Sequence, residues 1–270
     1  ARYGLSSARL ALARYSGNVL YRGYSDEPEQ DTRADGLFEP GQYLLRIHWP
    51  GYRDESAVEL ELSWLEAMRT ECRLPVPEPV RARDGSLLVR LSSPGIPEPR
   101  HCSLLRWVKG RRIGDRAVAK HYSEQGRLMA KMHNFSETWS VPEGAHPRVY
   151  DWEGLLREIP SLCLPVDDVW SLLPDPYVRP FESVAGQTRQ VMETLGAGVG
   201  VFGLIHADLG VDANLLFLGG CPRAIDFDEC GLGYWVYDLS VALEHCRESE
   251  DFARNRDALL ESYSALRALP

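Results

Sequence analysis

The sequence predicts an α+β chain folded in two lobes: a small antiparallel sheet carrying one helix, then a larger and mostly helical part. Three observations predict it. From Arg14 to residue 108 the apolar residues fall in short strand-like runs, interrupted once by a helical stripe; after residue 110 their spacing is mainly helical; and the break Lys109-Gly110-Arg-Arg112 separates the two regimes. The lobes are accordingly placed at 1–107 and 108–270. With 270 residues and 44% hydrophobic content, the chain can bury a substantial core.

A helix around Ser6 to Ala13 is expected to open the chain. Strand-like residues follow from Arg14 to Arg22 around the small polar turn Ser16, Gly17, Asn18. Ser25 to Gly41 is acidic and poor in apolar anchors, so it reads as an exposed loop extending this hairpin. Tyr43 to His48 reads as a strand with Leu45 and Ile47 on one face and Arg46 on the other. On the helix from Glu55 to Arg69, Val58, Leu62, Leu65 and Met68 form an apolar stripe. At about 100° per residue, Glu61 falls inside the stripe, whereas Glu59 and Glu66 lie outside it. A carboxylate aimed at a packed face needs a counter-ion, and Arg46 on the adjacent strand is the natural one.

After the stiff Pro75-Val-Pro77-Glu-Pro79 segment, the runs Ser86 to Leu91 and Ser103 to Val108 complete the sheet. Beyond the break, Ala117 to His133 has the spacing of a long core helix. Ser140 to Pro180 is rich in Pro, Trp and Asp, with Tyr150-Asp151-Trp152-Glu153 as an aromatic and acidic group suited either to lining an acceptor site or to ordinary packing. Helices over Val184 to Leu195 and Asp238 to Leu266 are expected to close the lobe.

The chemistry concentrates in His206-Ala-Asp208-Leu-Gly-Val-Asp212-Ala-Asn214 and Ile225-Asp226-Phe227-Asp228. In phosphoryl transfer one carboxylate orients an attacking hydroxyl, while an amide and a second carboxylate hold the magnesium that bridges the nucleotide phosphates. Leu215 to Leu218 and Arg223 to Ile225 are apolar runs punctuated by Gly219-Gly220, a hairpin pattern that sets position 213 or 214 opposite position 226. Cβ atoms of directly paired residues lie roughly 5 Å apart, so Asn214 and Asp226 can share one octahedral cation.

Leu204-Ile-His206-Ala-Asp208-Leu, Asn214-Leu-Leu-Phe and Ala224-Ile-Asp226-Phe-Asp228, followed by Asp238-Leu-Ser, resemble the aminoglycoside phosphotransferase and choline kinase-like family over nearly the whole chain. That resemblance implies a protein-kinase-like fold and transfer of a phosphoryl group from ATP or GTP, with Mg2+, to a small-molecule hydroxyl. By it Asp208 is the catalytic aspartate, Asn214 and Asp226 are the metal ligands, and Asp238 braces the catalytic loop. It also places Ser16, Gly17 and Asn18 over the phosphates, Arg46 and Glu61 as the strand-to-helix ion pair, and Leu105, Arg106 and Trp107 at the adenine-facing hinge. Choline, ethanolamine and homoserine kinases share these motifs, so the acceptor stays open.

Three departures qualify the resemblance. Asp208 to Asn214 is one residue longer than the usual spacing, so either the loop bulges or Asp212 is the metal ligand; arginine stands for the strand lysine; and no G-x-G-x-x-G run is present. They leave open a nucleotide-binding pseudokinase that regulates a partner. The net charge of −9 argues against nucleic acid, and the acids around the motif favour a cationic acceptor. No apolar run approaches the roughly 20 residues of a membrane span, and Ala1-Arg-Tyr-Gly lacks a secretion pattern, so a soluble cytoplasmic protein is expected. The six cysteines show no paired C-x-x-C spacing, which argues against disulfides and zinc.

Overall fold

The structure is a computed structural model that describes residues 2–5, 7–15, 17–26, 36–156, 170–244 and 246–269. Strands β1 (Arg9–Tyr15), β2 (Asn18–Tyr24), β3 (Phe38–His48), β4 (Leu88–Leu91) and β5 (Arg100–Val108) form one sheet in the order β1-β2-β3-β5-β4. All of its pairings are antiparallel. Helix α1 (Glu55–Glu71) lies between β3 and β4 in sequence. Its first turn is closed by the Asp54 carboxylate, which accepts a hydrogen bond from the Ser56 amide at 3.0 Å and satisfies an amide that has no partner inside the helix.

The larger lobe contains α2 (Ala119–Thr138), β6 (Arg148–Tyr150), α3 (Trp152–Leu156), α4 (Asp175–Leu195), β7 (Phe202–Ile205), β8 (Leu215–Leu218), β9 (Cys221–Ala224), β10 (Gly231–Tyr234), α5 (Trp235–Glu244) and α6 (Phe252–Ser264). A short β6-β10-β7 sheet and the β8-β9 hairpin present the loops between them. The expected stripe of α1 is buried, and Leu60 and Trp64 are buried with it. Trp64 meets Phe227 edge to face at 5.6 Å, so one apolar core runs from α1 through to the segment after β9. Helices α2 and α6 approach closely at Gly126, where a Cβ would sit 2.3 Å from the Leu259 carbonyl oxygen.

Three expectations are corrected. The opening segment is strand β1, not a helix; its Ala- and Leu-rich composition suits a helix, but pairing of Arg9 with Tyr24 through Tyr15 with Val19 decides its conformation. Leu37 and Phe38 are buried, so the end of the acidic segment belongs to the packed structure: the Phe38 ring lies under Arg106 at 4.6 Å and Arg69 at 5.2 Å. The closing helix is two helices, parted by turns in which the Ser249 amide donates to the Cys246 carbonyl and the Phe252 amide to that of Ser249. Residues 157–169 of the expected Pro-rich segment fall outside the described residues.

Strand β3 buries His48 with Arg46 on its inner face, and the imidazole Nε2 meets the Ser103 hydroxyl at 3.0 Å. Burial pushes this imidazole down to about 2, and the charges of Arg46, Arg53 and His101 add to the effect. Its folded value thus lies below the ordinary 6.5, so the unfolded chain takes up a proton that the fold refuses: stability from this group is complete above pH 6.5 and is lost as pH falls. His48→Gln is expected to flatten the acid-side loss of unfolding free energy by up to about 1.4 kcal/mol per pH unit. Urea titrations at pH 7 and pH 5 measure it, and equal slopes for the two proteins would contradict the assignment.

Candidate active site

The loop from His206 to Asn214 leaves β7 and enters β8, and its shape is fixed from behind by Asp238 in the first turn of α5. This fully buried carboxylate accepts from the Ala207 amide at 2.8 Å and the His206 amide at 3.3 Å. It also meets His133 Nε2 at 2.9 Å. Burial acts to raise its pKa, but the bond and charge of His133, the charge of His206 and the Ala207 amide outweigh it and hold the group below the ordinary carboxylate value. Ala207 is left-handed at φ 66°, a turn that the two amide bonds enforce. His206 ties the loop to the hairpin: Nδ1 accepts from the Asp208 amide at 3.3 Å, and Nε2 donates to the Ile225 carbonyl at 3.0 Å.

Asn214 closes the loop by donating Nδ2 to the Asp208 carbonyl at 2.8 Å and to Asp208 Oδ2 at 2.7 Å. The extra residue is taken up as one turn, in which the Ala213 and Asn214 amides donate to the Gly210 carbonyl at 3.3 and 3.0 Å. Gly219 and Gly220 make the expected turn, and Leu215 pairs with Ala224. The Ile225 amide donates to the Asn214 carbonyl at 2.9 Å. Position 213 is therefore the one opposite Asp226, and Asn214 lies one step along. Asp226 is left-handed at φ 65°, which breaks the strand alternation at this point. The half-buried Asp208 is raised above the ordinary value by burial first, then by the charges of Asp226 and Glu229 against the lowering effect of His206 and Asn214. Asp212 lies within electrostatic reach of Tyr122, on the α2 side of the loop.

A cavity of about 370 Å³ between the lobes is lined by Leu20, Leu44, Arg46, Glu61, Leu105, Arg106, Trp107, Ile225 and Asp226, among others. Arg46 Nη2 bonds Glu61 Oε1 at 2.6 Å, as the stripe predicts. The opposite oxygen, Oε2, is held by Arg53 at 2.6 Å, a partner that the sequence does not announce because Arg53 precedes the helix in a loop without periodicity. The Arg106 amide donates to the Glu78 carbonyl at 2.9 Å, and its guanidinium lies over the Phe38 ring at 4.6 Å and 3.8 Å from the Glu78 carboxylate. Trp107 carries the Arg22 guanidinium over its ring at 4.2 Å.

The turn at Gly17 and Asn18 reaches past the cavity toward the larger lobe. A Cβ at Gly17 would sit 2.8 Å from the Tyr52 ring, and the buried Asn18 donates to Asp228 at 3.5 Å. Ser16 lies outside the described residues. Tyr52 donates to Glu229 at 3.1 Å, and Glu229 also pairs with Arg148 and receives the Tyr150 hydroxyl at 3.2 Å. This cluster joins residues far apart in sequence and has no local signal. Asp228 is raised to about 7 by burial first, then by the charge of Asp226, against the lowering effect of Arg46. Among the described residues no three His, Cys, Asp or Glu side chains form a metal cluster. Asn214 with Asp226 instead suits a hard cation that takes one carboxylate, one amide oxygen and phosphate oxygens.

Residues 29–269 match the model of the APH phosphotransferase enzyme family. The chain belongs to this family. A homoserine kinase from Acidiphilium cryptum is 32% identical over 93% of the chain and 73% of its own length. An uncharacterized Synechocystis protein is 25% identical over 92% of the chain, and a homoserine kinase from Rhizobium etli is 30% identical over 76% of it. The chain spans 65% and 58% of the lengths of these last two relatives. Among solved structures, a microcompartment-associated aminopropanol kinase superposes with a TM-score of 0.76 at 27% identity, covering all of this chain and 79% of its own. A Cryptosporidium parvum choline kinase has the same fold, with a TM-score of 0.59 at 13% identity over 97% of this chain and 73% of its own. The family fold is the two-lobed, protein-kinase-like one that the sequence predicts. No helix among the described residues is long and apolar enough to cross a membrane.

Proposed function

We propose that the chain transfers the terminal phosphoryl group of ATP or GTP to the hydroxyl of a small molecule that also carries an amine. The observation that carries this reading is the bond of Asn214 to the Asp208 carboxylate, with Asp226 of the interlobe cavity wall within electrostatic reach of Asp208. Residues 1–107 hold the nucleotide and 108–270 the acceptor. The Asp208 carboxylate accepts a hydrogen bond from the acceptor hydroxyl and takes its proton as the new O–P bond forms and the bond to the leaving nucleotide oxygen breaks. Burial suits Asp208 to this role by favouring its protonated form. Arg46 faces the phosphates, while Leu105 and Trp107 enclose the base. Asn214 through Oδ1 and Asp226 are the ligands for Mg2+, which when bound neutralises charge on the transferring phosphates. The one-turn loop that brings Asn214 to Asp208 supports Asn214 over Asp212 for this position.

Homoserine and aminopropanol, the acceptors in the names of two relatives, both carry an amine beside a hydroxyl. The homoserine kinase is the more similar of the two in sequence, at 32% against 27% identity, which supports an acceptor with an amine and a carboxylate over a simple amino alcohol. A coupled nucleotide-release assay against homoserine, aminopropanol, choline and aminoglycosides tests the reading. Magnesium-dependent turnover is expected with homoserine above the others, and nucleotide binding without turnover on any hydroxylated amine would sink it.

A further inference from the structure

We propose that Arg53 is a positioning residue of the nucleotide site, holding one oxygen of Glu61 so that Arg46 keeps donors and net positive charge for the nucleotide phosphates. The inference rests on the reading of the cavity given above. Glu61 is 1% exposed, and its two oxygens are divided between two guanidinium groups, Oε1 to Arg46 and Oε2 to Arg53, each at 2.6 Å. Arg46, Arg53 and Glu61 together carry one positive charge, with the Asp228 carboxyl within electrostatic reach of all three. A strand cation paired alone with a helix carboxylate would leave none. The second arginine therefore alters what the site presents to a polyphosphate.

Arg53 is itself fixed from two sides. It donates Nη2 to the Ala57 carbonyl at 3.1 Å, inside the first turn of α1, and lies within electrostatic reach of Cys230, four residues beyond Asp226. Arg46 lines the nucleotide cavity, whereas Arg53 lines a neighbouring one of about 250 Å³ with Arg148 and Asp228. Arg53 thus acts through Glu61. Without it, Oε2 would be left without its donor in a packed interior, and the planar fork of Arg46 can satisfy both oxygens by closing on the carboxylate in bidentate fashion. That closure would draw two of Arg46's donors onto Glu61 and neutralise the pair.

The test is the equilibrium dissociation constant for magnesium-ATP and magnesium-GTP, measured by calorimetry alongside melting temperatures. Arg53→Ala is expected to weaken binding about tenfold, and Arg53→Lys to restore most of it. The double variant Arg53→Ala/Glu61→Gln is expected to bind more tightly than Arg53→Ala, because a neutral amide opposite Arg46 returns the missing charge. A purely structural role would predict the reverse order for the double variant. Binding by Arg53→Ala at the wild-type level, or a double variant no tighter than Arg53→Ala, overturns the inference. Should Arg53→Ala fail to fold, a double variant within about threefold of wild type supports it, and one tenfold weaker overturns it. Failure of the wild-type chain to bind either nucleotide is a separate result that removes the reading of the cavity itself.

Discussion

Asp208→Asn is expected to lower kcat by about 10²- to 10⁴-fold while nucleotide affinity is retained. Asn214 holds Asp208 through both its carbonyl and its carboxylate, so the amide side chain can stay in place and keep an oxygen for Asn214. What it loses is the capacity to take a proton from an acceptor. Single-turnover kinetics with saturating nucleotide separate this from a binding defect. A variant whose kcat stays within about tenfold of wild type would remove Asp208 from its assigned role.

Asp238→Ala is expected to destabilise the fold by about 3–5 kcal/mol. The carboxylate is fully buried and shared among His133 and the amides of His206 and Ala207, so its removal orphans three polar groups at once. Two of these amides shape the loop that presents Asp208, so activity is expected to fall with stability. Urea unfolding measures the stability change, and a loss under about 1 kcal/mol would show that the loop is held by something else.

The parts of the site that could be read from the sequence are those whose geometry is local. A two-residue turn fixes which residues face each other across β8 and β9, so the meeting of Asn214 with the Asp226 region follows from counting. Likewise the phase of the α1 stripe points Glu61 inward, and only one strand cation is adjacent to receive it. Arg53 escapes this reasoning because a loop residue has no periodic direction. Tyr52, Arg148 and Tyr150 escape it because they reach Glu229 from 79 to 177 residues away. Strand β1 is set by its partner and not by its own residues. The break between α5 and α6 did carry a signal: Ser249 and Asp251 stand just before the apolar start at Phe252, the pattern of a new helix N-terminus.

Ala207 and Asp226 hold backbone conformations that cost an L-residue about 1–2 kcal/mol each, and glycine alone is indifferent to them. At Ala207 a change to glycine is open, since the methyl group carries no chemistry. At Asp226 the same change would relax the chain yet discard the carboxylate. On the proposed roles the protein therefore keeps a thermodynamic handicap at Asp226 that only loss of the carboxylate would remove, and at that position selection for heat resistance and selection for turnover pull in opposite directions.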